Sequence, residues 1–250
     1  ETYTRSMMEK IQAVSLDALY SNDFRARIFA RLIGHIFGDG TLIFKGHVAR
    51  ATFRGEEADL IEIQDDVRRL GFLPEKIKYY STVSKITTVD GKEIIVRGSG
   101  HRFEVRNKPF CALLLLLGAP NGDKVELCTS IPKWILNSEK SVKREFLAAY
   151  FGAELSTPKQ RIKQKSSFET PVFKMAKIKK QDAALFIEGM EKLLNEFGVK
   201  VASIYQEKGN IRRDGKISII QAVKISVQHD SITNLYGNIG YIYAREKERL

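Results

Sequence analysis

The nine residues LIGHIFGDG at positions 32–40 have a counterpart about 115 residues downstream, LAAYFGAEL at 147–155, and each opens the same succession of segments. A repeat of this length constrains the fold strongly. A unit that recurs folds the same way twice and then buries its open face against its copy. In the first copy, SNDFRARIFARLIGHIFGDG starts with the cap-type residues Ser21 to Asp23 and runs apolar at helical spacing to a glycine stop. In the second, NSEKSVKREFLAAYFGAELS offers Asn137 and Ser138 as caps for an apolar helix from Val142. Alternating stretches follow in both. Next come amphipathic helices (EEADLIEIQDDVRRLGF and QDAALFIEGMEKLLNEFGV), strand pairs turned at Asp90-Gly91 and Asp214-Gly215, and short apolar helices (PFCALLLLLG and DSITNLYGNIG). The pattern predicts an α+β fold of two αββαββα halves, 1–137 and 138–250, related by a pseudo-two-fold axis. Residues 1–20 form a leading segment, and the halves meet near IPKWILNSEK.

Gly34 and Gly38 lie four apart on one motif helix, as Ala149 and Ala153 do on the other. Small residues at that spacing let two helix backbones approach closely, so these four predict the helix interface at the axis. Each stripe ends at an acid, Asp39 or Glu154. The C-terminal end of a helix carries unpaired carbonyls and the negative pole of its dipole, which disfavours an anion. Asp39 therefore asks for a cationic partner.

The charge balance points to a polyanion: 41 Lys and Arg against 30 Asp and Glu give a net charge of +11. Nucleic acid is the first reading and an anionic membrane surface the second. The longest aliphatic run, Leu113 to Leu117, is far short of the roughly 20 residues a membrane helix needs, and no signal segment is apparent. An intracellular protein without a membrane partner is expected. Cys111 and Cys128 give no disulfide framework and, with four scattered histidines, no zinc spacing; both read as small core residues.

LIGHIFGDG and LAAYFGAEL resemble the paired motifs of the LAGLIDADG homing endonucleases, and the resemblance runs from about residue 21 to the end of the chain. It implies a monomeric enzyme that cuts both strands of a long, near-palindromic DNA duplex. It also implies that Asp39 and Glu154, with Gly38 and Ala153 beside them, hold two or three Mg²⁺ (or Mn²⁺) ions, hard cations suited to carboxylate, water and phosphate oxygens. Lys124 and Lys247 stand where the family carries a basic catalytic residue, although an ordinary surface lysine is the plain alternative at both. Arg54, with Lys179 or Gln181, matches its water-positioning groups. Where the family has glycine after the second acid this chain has Leu155, which would strain that turn if it required positive φ. The segment GAPNGDKVELCTSIPKWI is similar to one in intein-borne endonucleases. Splicing needs a terminal nucleophile and a His-Asn ending, however, and Glu1 and Leu250 point instead to a free-standing nuclease or the nuclease part of a larger protein.

The same resemblance places a curved antiparallel sheet in the major groove. From the first half, Lys45, His47, Arg50, Arg54, Lys76, Lys78 and Tyr80 are candidate DNA contacts, as are Arg97, Arg102 and Arg106. The second half offers Arg161, Lys163, Lys165, Lys177 and Lys179, then Tyr205, Arg212, Arg213, Lys216 and Lys224. Some of these lysines would serve only to protect strand edges from aggregation. A catalytically silent descendant that binds DNA as a regulator, or intron RNA as a splicing cofactor, is the competing reading.

Overall fold

The structure is a computed structural model that describes residues 2–16, 18–20, 22–157, 160–161 and 164–248. After α1 (Thr2–Ala13), the first half runs α2 (Phe24–Phe37), β1 (Thr41–Lys45), β2 (Val48–Gly55), α3 (Glu57–Arg69), β3 (Lys78–Thr88), β4 (Glu93–Val105) and α4 (Lys108–Leu116). A short helix, α5 (Lys133–Leu136), leads into the second half. This comprises α6 (Lys140–Glu154), β5 (Gln160–Arg161), β6 (Gln164–Phe168), β7 (Val172–Lys177), α7 (Gln181–Glu196), β8 (Val201–Ile211) and β9 (Ile217–Ile225). The chain then forms α8 (His229–Asn234), a π-helical turn over Leu235–Ile239 and α9 (Arg245–Glu248).

Strands β1-β2-β4-β3-β8-β9-β7 form one seven-stranded sheet whose order reads nearly the same from either end. The halves meet through β3 and β8 in only two residue pairs, Thr87↔Ile211 and Thr88↔Asn210. Among the described residues the second half gives this sheet three strands where four were expected, and β5 and β6 pair with each other. Alternation sends Leu42, Ala51, Phe53, Phe103, Phe173 and Val223 into the core, and the helices cover that face. The Phe53 and Phe103 rings, paired across β2 and β4, stack at 5.1 Å.

At the centre, α2 packs on α6. A Cβ built on Gly34 would lie 2.4 Å from the Phe146 carbonyl oxygen, and one on Gly38 would lie 2.5 Å from the Ala153 Cβ. The backbones therefore meet where the small residues are; Ala149 is fully buried there and Ala153 half-buried. Gly152 faces elsewhere: its Cβ would strike the Ile242 carbonyl, so the segment around Ile242 runs close along α6. A buried polar network crosses the seam. Arg31 of α2 reaches Asp66 of α3 (2.9 Å) and Glu145 of α6 (2.7 Å), and the Tyr243 hydroxyl donates to Asp66. Nothing in the helical spacing announces this network.

Three local expectations change. Asp23 caps α2 with its side chain on the Arg25 N–H, but α6 starts after Glu139, because Asn137 ends α5 and the Ser138 hydroxyl turns back to the Ile135 carbonyl. Cys111 is buried as expected, whereas Cys128 is exposed on a loop. Leu155 sits at φ −76°, ψ 134°, ordinary extended backbone, so it carries no left-handed strain. Its side chain is 1% exposed in the core. Leu155→Gly is thus expected to destabilise the protein by about 3–5 kcal/mol, from lost burial plus backbone entropy, read as a lower urea midpoint.

Candidate active site

The polypeptide turns away directly after α2 and α6, and the two acids stand at those adjoining helix ends. A Cβ on Gly38 would lie 3.3 Å from the Cγ of Glu154, which measures how near the two turns are. Asp39 keeps a side open to solvent although protein atoms crowd its carboxyl, and Glu154 is half-buried. Burial and then the Asp39 charge push Glu154 up to about 7; burial likewise raises Asp39, against the pull of Lys124, Lys247 and Arg54. The charge of each carboxylate at these adjoining ends opposes ionisation of the other.

The cationic partners are Lys124 and Lys247. The Lys124 ammonium donates to the carbonyls of Ile36 (3.0 Å), Phe37 (3.2 Å) and Gly38, capping α2. Lys247 does the same for α6 through the carbonyls of Gly152 (2.7 Å), Leu155 (2.9 Å) and, more distantly, Phe151 (3.4 Å). A cation at a helix C-terminus is stabilised by the orphan carbonyls and the dipole. Burial drives Lys124 down to about 8 while Glu154 and Asp39 hold it up; Lys247 moves the same way for the same reasons. Arg54 adds a third cation near Asp39 and donates to the Thr41 hydroxyl (3.0 Å).

A cavity of about 310 Å³ opens beside Glu154 and Lys124, and Phe37, Tyr150, Phe186 and Lys174 also line it. Sequence reading missed Lys174. The signal was strand alternation, which puts it on the same face as Lys224. His35, inside the motif helix, is 4% exposed between Phe53 and Tyr243; burial and the Lys124 charge lower it to about 3, leaving a neutral ring.

Among the described residues no group of three or more His, Cys, Asp or Glu could hold a metal. The donors are then the two carboxylates and, of the two neighbouring carbonyls expected to join them, that of Ala153, since the Gly38 carbonyl already accepts from Lys124. That set fits Mg²⁺, which keeps several waters and takes one or two carboxylates plus phosphate oxygens.

The sheet face away from the helices gathers Lys45, Arg50, Arg54, Lys78, Tyr80 and Arg102 from the first half and Lys174, Tyr205 and Lys224 from the second. Each half carries a cation over an aromatic ring there: Arg102 lies 5.6 Å from the Tyr80 ring and Lys224 lies 4.7 Å from Tyr205. His47 is on the β1–β2 turn, Lys76 precedes β3, and Lys179 and Arg213 are exposed in loops. Arg106 is tied to Glu75 and Glu104, Arg212 to Asp123, and Lys216 to Glu126. Gln181 opens α7 and takes no visible part in the site. Lys163 lies outside the described residues, as do the side chains of Arg161 and Lys165.

Two candidate contacts are corrected. Arg97 falls on the opposite strand parity from Arg102, so it points to the other face of the β3–β4 ribbon. Lys177 is 3% exposed on the core side of β7, its ammonium spent on the carbonyls of Lys124 and Leu127 and the Thr129 hydroxyl, and it cannot reach DNA.

No protein-family model matches the chain. It is 41% identical, over its whole length, to part of the DNA-directed RNA polymerase subunit Rpo1N of Methanocaldococcus jannaschii, and spans 18% of that protein. It is 31% identical over 98% of its length to the tRNA-splicing ligase RtcB of the same organism, covering 25% of it. A solved structure, the homing endonuclease I-WcaI bound to its DNA recognition sequence, aligns over 95% of this chain and 91% of its own at a TM-score of 0.49 and 17% identity. No helix among the described residues is long and apolar enough to cross a membrane.

Proposed function

We propose that the chain is a LAGLIDADG-type homing endonuclease, a monomer with halves at 1–137 and 138–250 that hydrolyses both strands of a long DNA site in the presence of Mg²⁺. The observation that carries this reading is the juxtaposition of Asp39 and Glu154 at the ends of two touching helices, each end capped by its own lysine. The recurrence of one segment within proteins as different as a polymerase subunit and an RNA ligase supports it. A piece shared by such unlike proteins, and small in each, carries a function of its own, as an inserted element would.

Asp39 and Glu154 would hold the divalent ions. When bound, the ion polarises a phosphoryl oxygen and activates water. Lys124 and Lys247 keep positive charge fixed beside the acids, with no rearrangement needed as phosphate charge grows. The basic sheet face lies along the groove, its lysines on phosphates and its arginines toward base edges. Incubation with Mg²⁺ and a library of long randomised duplexes, followed by sequencing of cut ends, tests the reading. One recurrent staggered cut supports it; tight binding without cutting would favour the silent DNA binder.

The sheet face also sets a salt dependence. Affinity for the selected duplex is expected to fall steeply, by about 10³-fold or more between 50 and 200 mM salt if six or more phosphates are neutralised. Lys78→Ala should lower the log–log slope by about one, whereas Lys177→Met should leave it unchanged. A flat slope in the natural protein would make the +11 charge incidental.

A further inference from the structure

Lys124 and Lys247 each cap the motif helix of their own half, yet the segment that carries each is fastened to the other half. Just upstream, both segments hold to their own side: Asn121 brackets the Phe44 backbone (2.8 and 3.0 Å), and the Ile242 N–H donates to the Ala148 carbonyl (3.1 Å). From there they cross. Around Lys124, the Lys177 ammonium of β7 holds the Lys124 carbonyl (2.7 Å), the Leu127 carbonyl (2.8 Å) and the Thr129 hydroxyl (3.1 Å). Arg212 and Lys216, at the β8–β9 turn, pair with Asp123 (2.5 Å) and Glu126 (2.6 Å). Around Lys247 the anchors come from α3: Asp59 accepts the Arg245 N–H (2.9 Å), Glu62 pairs with the Arg245 side chain (2.5 Å), and Asp66 accepts the Tyr243 hydroxyl.

We propose that Lys177 and Asp59 are positioning residues that set Lys124 and Lys247, so that each cutting centre is completed by the opposite half. The proposal rests on the endonuclease reading. Burying an ammonium is costly unless all its donors are used, and Lys177 has three donors and three acceptors around it at 3% exposure. Asp59 is 9% exposed and holds the first N–H of the short helix that carries Lys247. A surface phosphate contact would need neither arrangement. Removing one anchor frees a loop whose lysine must stay within a fraction of an ångström of its place, and a misplacement near 1 Å costs about 10²-fold in rate.

The test measures nicking of each labelled strand separately on the selected duplex. Lys124→Met and Lys247→Met first assign the strand that each lysine serves. Lys177→Met is expected to slow the Lys124 strand about 10- to 100-fold relative to the other. Asp59→Ala should bias the opposite strand, and Lys177→Arg, which can still donate to all three oxygens, should recover most of the loss. Hydrogen exchange gives a readout independent of cleavage. It should rise over 123–129 in Lys177→Met with 243–248 unchanged, and the reverse should hold in Asp59→Ala. Equal slowing of both strands, or exchange rising evenly through the protein, would overturn the crossed anchoring. A natural protein that cuts neither strand would instead overturn the endonuclease reading, leaving the exchange pattern to decide the anchoring alone.

Discussion

Asp39→Asn and Glu154→Gln are each expected to lower double-strand cleavage by at least about 10²-fold while duplex affinity stays the same or rises. Each acid supplies charge for the metal and, in its absence, repels the phosphates. The same variants should also change stability in a direction set by their pKa values. Glu154 titrates near 7 in the folded protein against 4.5 for an unperturbed glutamate. Between those values the folded state binds more protons than the unfolded one, so stability falls as pH rises through the window and is flat above it. Glu154→Gln removes that cost. In metal-free buffer above pH 7 it should therefore be more stable than the natural protein, on the order of 1–3 kcal/mol, with no gain below pH 4.5. Thermal melts across this range check the point, and a variant that is less stable at pH 8 would mean that burial and the Asp39 charge do not penalise the Glu154 carboxylate.

Gly34→Leu is expected to be the most damaging substitution on the helix seam. Even a methyl would sit 2.4 Å from the Phe146 carbonyl oxygen, and that oxygen belongs to a helix backbone with no freedom to yield. A larger side chain forces α2 and α6 apart, at a cost of at least about 3 kcal/mol. Separation also moves Asp39 from Glu154, so any protein that remains folded should bind DNA but fail to cut. Gly34→Ala should show a smaller loss of the same kind, partly offset by alanine's better helix propensity, worth about 1 kcal/mol. Urea unfolding with cleavage on the folded fraction separates the two effects. Unchanged cleavage in Gly34→Leu would show that the helix approach does not set the distance between the acids.

The duplication was legible because it is written in helical periodicity and turn residues, both local signals. The small residues Gly34 and Gly38 were legible for the same reason, and the acids at the helix ends stood out because the dipole disfavours them. What stayed hidden depends on the third dimension. Lys177 read as one more basic strand residue, and only the register of β7 against β9 shows it pointing inward. Arg97 and Arg102 looked alike until parity along β4 separated them. Leu155 looked strained beside a glycine-ending motif, yet φ never turns positive there, so the substitution needs no special backbone. The Arg31, Asp66, Glu145 and Tyr243 network joins four segments far apart in sequence, and no spacing rule could assemble it.

The central claim is that Asp39 and Glu154 together hold the divalent ions between the two helix ends. Its most direct test is Mn²⁺ titration, followed by electron paramagnetic resonance, of the protein bound to the selected duplex with uncleavable linkages at the cut positions. Bound Mn²⁺ is expected in the natural complex, with reduced occupancy in either single variant and none at the site in the Asp39→Asn, Glu154→Gln pair. Equal Mn²⁺ binding in the natural and doubly substituted complexes would contradict the assignment.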